Sequence, residues 1–182
     1  MRNHPAHAGY LSNFLGNARE AKATGLISLP VSGNGPKLRL IDPRDVGSAA
    51  AAILTQPTAG LAVFIAKRNI EVHGPAPANF ADKAAALSAA VGYDIKIKQV
   101  PLEAWVQAMQ GYGLPRVWAT SFAETVLQAD GVVPPGYPAP KAGEPSMGSL
   151  DTSPELLAIW KPQFTVQDWA SSAEVKAAFA RS

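Results

Sequence analysis

Residues 79–98 constrain the fold more than any other stretch of the chain. Asn79 carries a side-chain oxygen able to cap a helix, Asp82 stands three positions on where a capping-box acid belongs, and Phe80, Ala84, Leu87 and Val91 recur on one helical face. Gly92 then offers the left-handed residue that ends a helix. Directly behind it, Asp94-Ile95-Lys96-Ile97-Lys98 alternates, the pattern of a half-buried strand with Lys96 and Lys98 on the wet face. A switch from helical to strand periodicity across one glycine is a helix-to-strand unit, which places the chain among the α/β folds.

Other elements fall around this unit. Leu11, Phe14, Leu15 and Ala18 recur at helical spacing, with Gly25 as the stop. The cluster Gly33-Asn34-Gly35-Pro36 is a turn leading into Leu38-Arg39-Leu40-Ile41, a short strand candidate. Asp42-Pro43-Arg44-Asp45 reads as a helix start, with Asp42 as cap, Pro43 at the first helical position and Asp45 in the capping-box place. Val46, Ala49, Ala50, Ile53 and Leu54 would supply that helix's buried face. Residues 61–72 are β-prone, are interrupted at 66–69 and halt at Gly74-Pro75, so one or two strands are expected there. After Pro101, Leu102, Trp105, Val106 and Met109 make a short amphipathic helix closing at Gly111-Tyr112-Gly113. A further helix is expected over 115–129, with Trp118, Phe122 and Val126 four apart. Residues 132–154 are rich in Pro, Gly and Ser and read as an irregular arm. Thr165-Val166-Gln167-Asp168 has capping-box form and opens a last helix carrying Trp169, Val175 and Phe179.

Composition narrows the function classes. Hydrophobic residues make up 47% and charged residues 16% of the 182, enough apolar surface to order most of the chain. The net charge of +2 arises without a run of Lys or Arg able to track a phosphate backbone, so nucleic acid is a poor partner. No apolar stretch reaches the roughly 20 residues of a membrane helix, and the start lacks a secretory apolar segment, so the default expectation is a cytoplasmic protein with no membrane partner. With no cysteine, disulfides, thiolate catalysis and Cys-based zinc sites are all excluded.

Motifs for redox or metal chemistry are weak. A dinucleotide site wants glycines between a strand and the helix after it, so that backbone N–H groups approach the pyrophosphate. Gly33 and Gly35 come nearest, but Pro36 follows directly and no glycine sits three residues on, so a turn is the better reading. Tyr137 and Lys141 have the Tyr-x-x-x-Lys spacing by which an ammonium lowers a phenol pKa, yet Pro138 and Pro140 forbid the helix that would bring them together. No residue is therefore assigned to catalysis. His4 and His7 are separated by Pro5 and lack a third ligand, so no metal site is expected, and His73 reads as structural. The aromatics Tyr10, Phe14, Trp105, Tyr112, Trp118 and Phe122 would serve either a core or an apolar pocket.

Specific words in this order resemble the NmrA-like family of atypical short-chain dehydrogenases. They are Tyr10-Leu11-Ser12-Asn13-Phe14-Leu15, Leu40-Ile41-Asp42-Pro43-Arg44-Asp45-Val46-Gly47, and Glu71-Val72-His73-Gly74-Pro75 followed by Ala86-Leu87-Ser88-Ala89-Ala90-Val91-Gly92. Val100-Pro101-Leu102-Glu103-Ala104-Trp105 and Thr165-Val166-Gln167-Asp168-Trp169 continue the likeness. The resemblance implies the C-terminal part of a Rossmann-like NAD(P)-binding fold with a small, mostly helical lobe over the substrate, the family's glycine-rich loop falling outside this chain. It implies four parts: 1–72 as strands and helices of an incomplete Rossmann-like domain, 73–131 as the substrate-covering lobe, 132–164 as the arm, and 165–182 as a C-terminal helix. It implies the substrate-pocket side of an NAD(P)-dependent oxidoreductase or of a redox-sensing NAD(P) binder, with NAD or NADP as the cofactor and a small molecule as the substrate. Tyr10, Asn13 and Phe14 would face the nicotinamide end, Asn13 hydrogen-bonding an amide, while Trp118 and Phe122 would wall an apolar pocket. The competing expectation is a non-catalytic module that assembles with itself or a partner chain through an open sheet edge.

Overall fold

The computed structural model describes residues 9–66, 70–138 and 151–181. Its first element is a 3-10 segment, Leu11–Asn17, continuing into α1, Ala18–Thr24, which ends on Gly25 with φ of 72° in the left-handed region. Strand β1, Leu26–Leu29, follows at once and buries Ile27 and Leu29 on one side. It pairs in parallel with β2, Lys96–Gln99, in the register Leu26↔Lys96 to Leu29↔Gln99. Parallel pairing requires a long crossover, here made by helices. These are α2, Pro43–Leu54, α3, Thr58–Ile65, and α4, Phe80–Val91. The chain is thus α/β, with a two-stranded parallel sheet among the described residues.

The helix-to-strand unit forms as its sequence dictates. Asn79 Oδ1 accepts from Asp82 N at 2.9 Å while Asp82 Oδ2 accepts from Asn79 N at 3.0 Å, a closed capping box, and Gly92 terminates α4 with φ of 78°. Ser88 Oγ bonds to both the N–H and the carbonyl of Ile95, clamping strand to helix. Helices α5, Leu102–Gly111, and α6, Arg116–Ala129, pair as a hairpin around Trp105, Val106, Ala119 and Ala123. Beyond the arm come α7, Pro154–Leu157, α8, Val166–Ala170, and α9, Ala173–Phe179. The main core gathers Leu11, Phe14, Ile27, Leu87, Trp169 and Phe179, so the C-terminal helices close over α1 and α4.

Several expectations need correction. Residues 61–65, expected as strand, are helical: they belong to α3, no strand among the described residues pairs with them, and α3 inserts Phe64 against Ala49, Leu156 and Trp160. Residues 67–69 of that stretch lie outside the described residues. Leu38 and Ile41 make only isolated bridges, to Ala78 and Tyr10 respectively, while the true strand, β1, is a four-residue run. Asp45 does not close a capping box. Fully buried, it accepts the N–H groups of Gln163 and Phe164 at 3.0–3.1 Å, tying the segment before α8 onto α2. Ala50 and Leu54 of α2 are exposed rather than buried. The arm contains one helical turn, α7, and the C-terminal helix is broken in two, Ser172 capping α9 through Val175 N at 3.4 Å.

Candidate functional site

A cavity of about 450 Å³ lies between the 3-10 segment on one side and the α5–α6 hairpin on the other. Its floor includes Leu29, the last residue of β1, so it opens at the C-terminal end of the parallel pair, where open α/β sheets take ligands. Backbone bonds fix the first wall: Leu11 N donates to Ile41 O at 3.0 Å and Ile41 N to Gly9 O at 3.3 Å, which sets Tyr10 and Asn13 over the opening. Trp105 fixes the second wall. Its indole N–H donates to Ser28 O at 3.0 Å, pinning α5 to β1, and its ring meets Phe122 at 5.6 Å between centroids.

Four of the five residues expected at a site line this cavity: Tyr10, Asn13, Phe14 and Phe122. Trp118 does not. It is 69% exposed on the outer face of α6, because Ala119 and Ala123 take the hairpin's inner face and the four-residue series to Phe122 and Val126 straddles the edge.

The residue that sequence reasoning missed is Lys83. It is 3% exposed, lines the cavity, and its Nζ lies 4.1 Å from the Phe14 ring centroid and 4.0 Å from that of Phe80, rings that are themselves stacked at 5.8 Å. Its ammonium has no hydrogen bond or ion pair among the described residues. Burial alone pushes it down from the usual lysine range to about 7, while the electron-rich ring faces act the other way, favouring charge. A signal existed: Lys83 stands three after Phe80 and four before Leu87, inside the apolar stripe of α4.

Gly33 and Gly35 are not a phosphate cradle. A Cβ at Gly33 would press on Ile97 at 3.1 Å, and one at Gly35 would collide with the Asp130 carbonyl, whose carboxylate already accepts Gly35 N at 3.0 Å. Their missing side chains make room for packing. Tyr137, half exposed, donates to Glu124 Oε2 at 3.1 Å, and the carboxylate raises the phenol pKa, opposite to what a proton-abstracting tyrosine needs. Its partner in the spacing motif, Lys141, lies outside the described residues, as do His4 and His7. His73 is buried, its backbone N–H donating to Thr152 Oγ1 at 3.0 Å and its ring Nε2 lying 3.3 Å from Glu71 Oε2. Among the described residues no three His, Asp or Glu side chains cluster as a metal site, and no helix is long and apolar enough to cross a membrane.

No protein-family model matches the sequence. Among curated proteins, an NAD(P)H azoreductase from Xenophilus azovorans is 31% identical over 163 residues, covering 90% of this chain and 49% of the relative. Among solved structures, an NADPH-dependent quinone oxidoreductase from Escherichia coli superposes with a TM-score of 0.63 at 19% identity, over 91% of this chain and 52% of that one. The Citrobacter sp. triphenylmethane reductase complexed with NADP(H) gives 0.62 at 17% identity, over 94% and 51%. The chain spans about half the length of each of these proteins, and its fold is the Rossmann-like one they share.

Proposed function

We propose that this chain, related to the NAD(P)H-dependent reductases of the atypical short-chain dehydrogenase family that its NmrA-like words resemble, forms the substrate side of such a reductase. One observation carries the reading. The described residues place a large cavity walled by aromatic rings at the C-terminal end of the parallel strands, where this fold brings cofactor and substrate together. The described residues offer no pyrophosphate cradle, since Gly33 and Gly35 are committed to packing, but the upper wall suits a nicotinamide: Asn13 presents both donor and acceptor to a carboxamide beside Tyr10. Bound NAD(P)H would supply the hydride.

This chain's own residues do the rest. Trp105 and Phe122 hold a flat acceptor by ring contact, Phe14 and Leu29 exclude water beneath it, and residues 73–131 act as the lobe that covers the substrate. Oxidation of millimolar NADPH, followed by absorbance with 2-methyl-1,4-naphthoquinone as acceptor, tests the reading. Acceptor-dependent turnover that falls at least about tenfold, one decade being about 1.4 kcal/mol of barrier, in Phe122→Asp supports it. Turnover that is absent, or unchanged by that charge in the ring wall, contradicts it.

A further inference from the structure

The charges around the cavity are all of one sign. Lys83 and Arg19 are the formally charged side chains among the lining residues, and no Asp or Glu joins them. Arg19 is exposed to solvent, whereas Lys83 is buried, its ammonium lies over two ring faces, and it has no hydrogen bond or ion pair among the described residues. Burying an unpaired ammonium costs several kcal/mol, and ring faces offset only part of that. Leu or Met at this point of the α4 stripe would avoid the cost altogether. A cation held at the wall of a mostly apolar cavity, with no hydrogen-bond or ion-pair partner among the described residues, is matched when the ligand brings the opposite charge.

We infer that the cavity takes a flat aromatic ligand bearing a carboxylate or comparable anionic group, with Lys83 as its counter-ion. The inference rests on the reading of the cavity as the substrate site, and it names the class of substrate. The aromatic body lies against Trp105 and Phe122, and its anionic group reaches across to the ammonium beside Phe14 and Phe80. An anion beside this buried ammonium gains more from a single charge-assisted hydrogen bond than it would at the surface. By the same logic, a triarylmethane cation of similar size meets like charge and is turned away.

The test uses two probes of nearly equal shape, 1-naphthoate and the uncharged 1-naphthamide, titrated by calorimetry into the 182-residue chain at pH 6.5. Naphthoate is expected to bind at least about tenfold more tightly than the amide, a difference of 1.4 kcal/mol. In Lys83→Met that preference should shrink to less than about twofold while naphthamide binding persists, which also shows that the variant is folded. Arg19→Gln should keep the preference. Equal binding of the two probes to the unaltered protein overturns the role of Lys83, and so does a preference that survives Lys83→Met or vanishes in Arg19→Gln. Failure of both probes to bind at millimolar concentration overturns the cavity reading itself, so the two failures are told apart.

Discussion

Replacing Lys83 by Met should make the protein more stable, and the gain should depend on pH in a definite direction. Burial holds the Lys83 ammonium at about 7 against an ordinary value of 10.5, which corresponds to roughly 5 kcal/mol of penalty on the charged form at 1.36 kcal/mol per pKa unit. The faces of Phe14 and Phe80 offset about 1 kcal/mol each, so roughly 3 kcal/mol remains. Met keeps the unbranched stem and removes the charge. The lysine's folded-state value lies below its unfolded one, so the unfolded chain holds more protons at pH values between the two, and the stability of the unaltered protein rises with pH across that window. Below about pH 7 both states are protonated and the penalty is felt in full. Lys83→Met should therefore exceed the parent by about 2–4 kcal/mol at pH 6, with the difference shrinking through pH 8 and nearly gone by pH 10. Urea denaturation followed by circular dichroism at these three pH values measures it. A variant no more stable at pH 6, or a gain that does not change with pH, would refute the assignment of Lys83 as a buried, unpaired base.

Other positions carry their own expectations. Asp45→Ala should cost about 2–3 kcal/mol in denaturant unfolding and make residues 161–165 a preferred site of limited proteolysis, because the buried N–H groups of Gln163 and Phe164 lose their acceptor. Gly74→Ala should cost roughly 2–4 kcal/mol, since the added Cβ collides with the Leu40 carbonyl, and a melting temperature within a degree of the parent would contradict the close approach drawn there. Tyr137→Phe should leave NADPH-dependent turnover within about twofold, its phenol being held by Glu124; a hundredfold loss would restore the spacing motif as chemistry. Calorimetry should find NADPH binding to this chain no tighter than about millimolar, as Gly33 and Gly35, the glycines nearest to a dinucleotide pattern, are committed to packing; micromolar binding would contradict that.

What was legible in the sequence was what local chemistry decides. The capping boxes at Asn79 and Thr165, the glycine stops at 25 and 92, and the alternation of β2 are each set by a few neighbouring residues, and each is found where the pattern places it. What was illegible depends on distant partners. Residues 61–65 look β-prone, but a strand needs a neighbour, and the second core offered by Ala49, Leu156 and Trp160 selects a helix instead. Asp45 has the spacing of a capping acid and is drawn off by backbone more than a hundred residues away. Of the cavity's lining, Tyr10, Asn13 and Phe14 stand in a family-like word and Phe122 in the helical series of α6, whereas Trp118 could not be separated from Phe122 by spacing alone, because only the hairpin's packing decides which edge of α6 faces in. Lys83 was overlooked because a lysine in an apolar stripe reads as a stem lying along the surface with its charge in water.

The most direct test of the central claim is an NMR titration of the chain with 2-methyl-1,4-naphthoquinone, monitoring backbone amides and the tryptophan indoles. Saturable shifts should gather at Asn13, Phe14, Lys83, Phe122 and the Trp105 indole, leaving the exposed ring of Trp118 and the far side at Leu54 unmoved. Shifts centred on Trp118 and Val117, or none at millimolar quinone, would show that the cavity between the 3-10 segment and the α5–α6 hairpin is not where this protein takes its substrate.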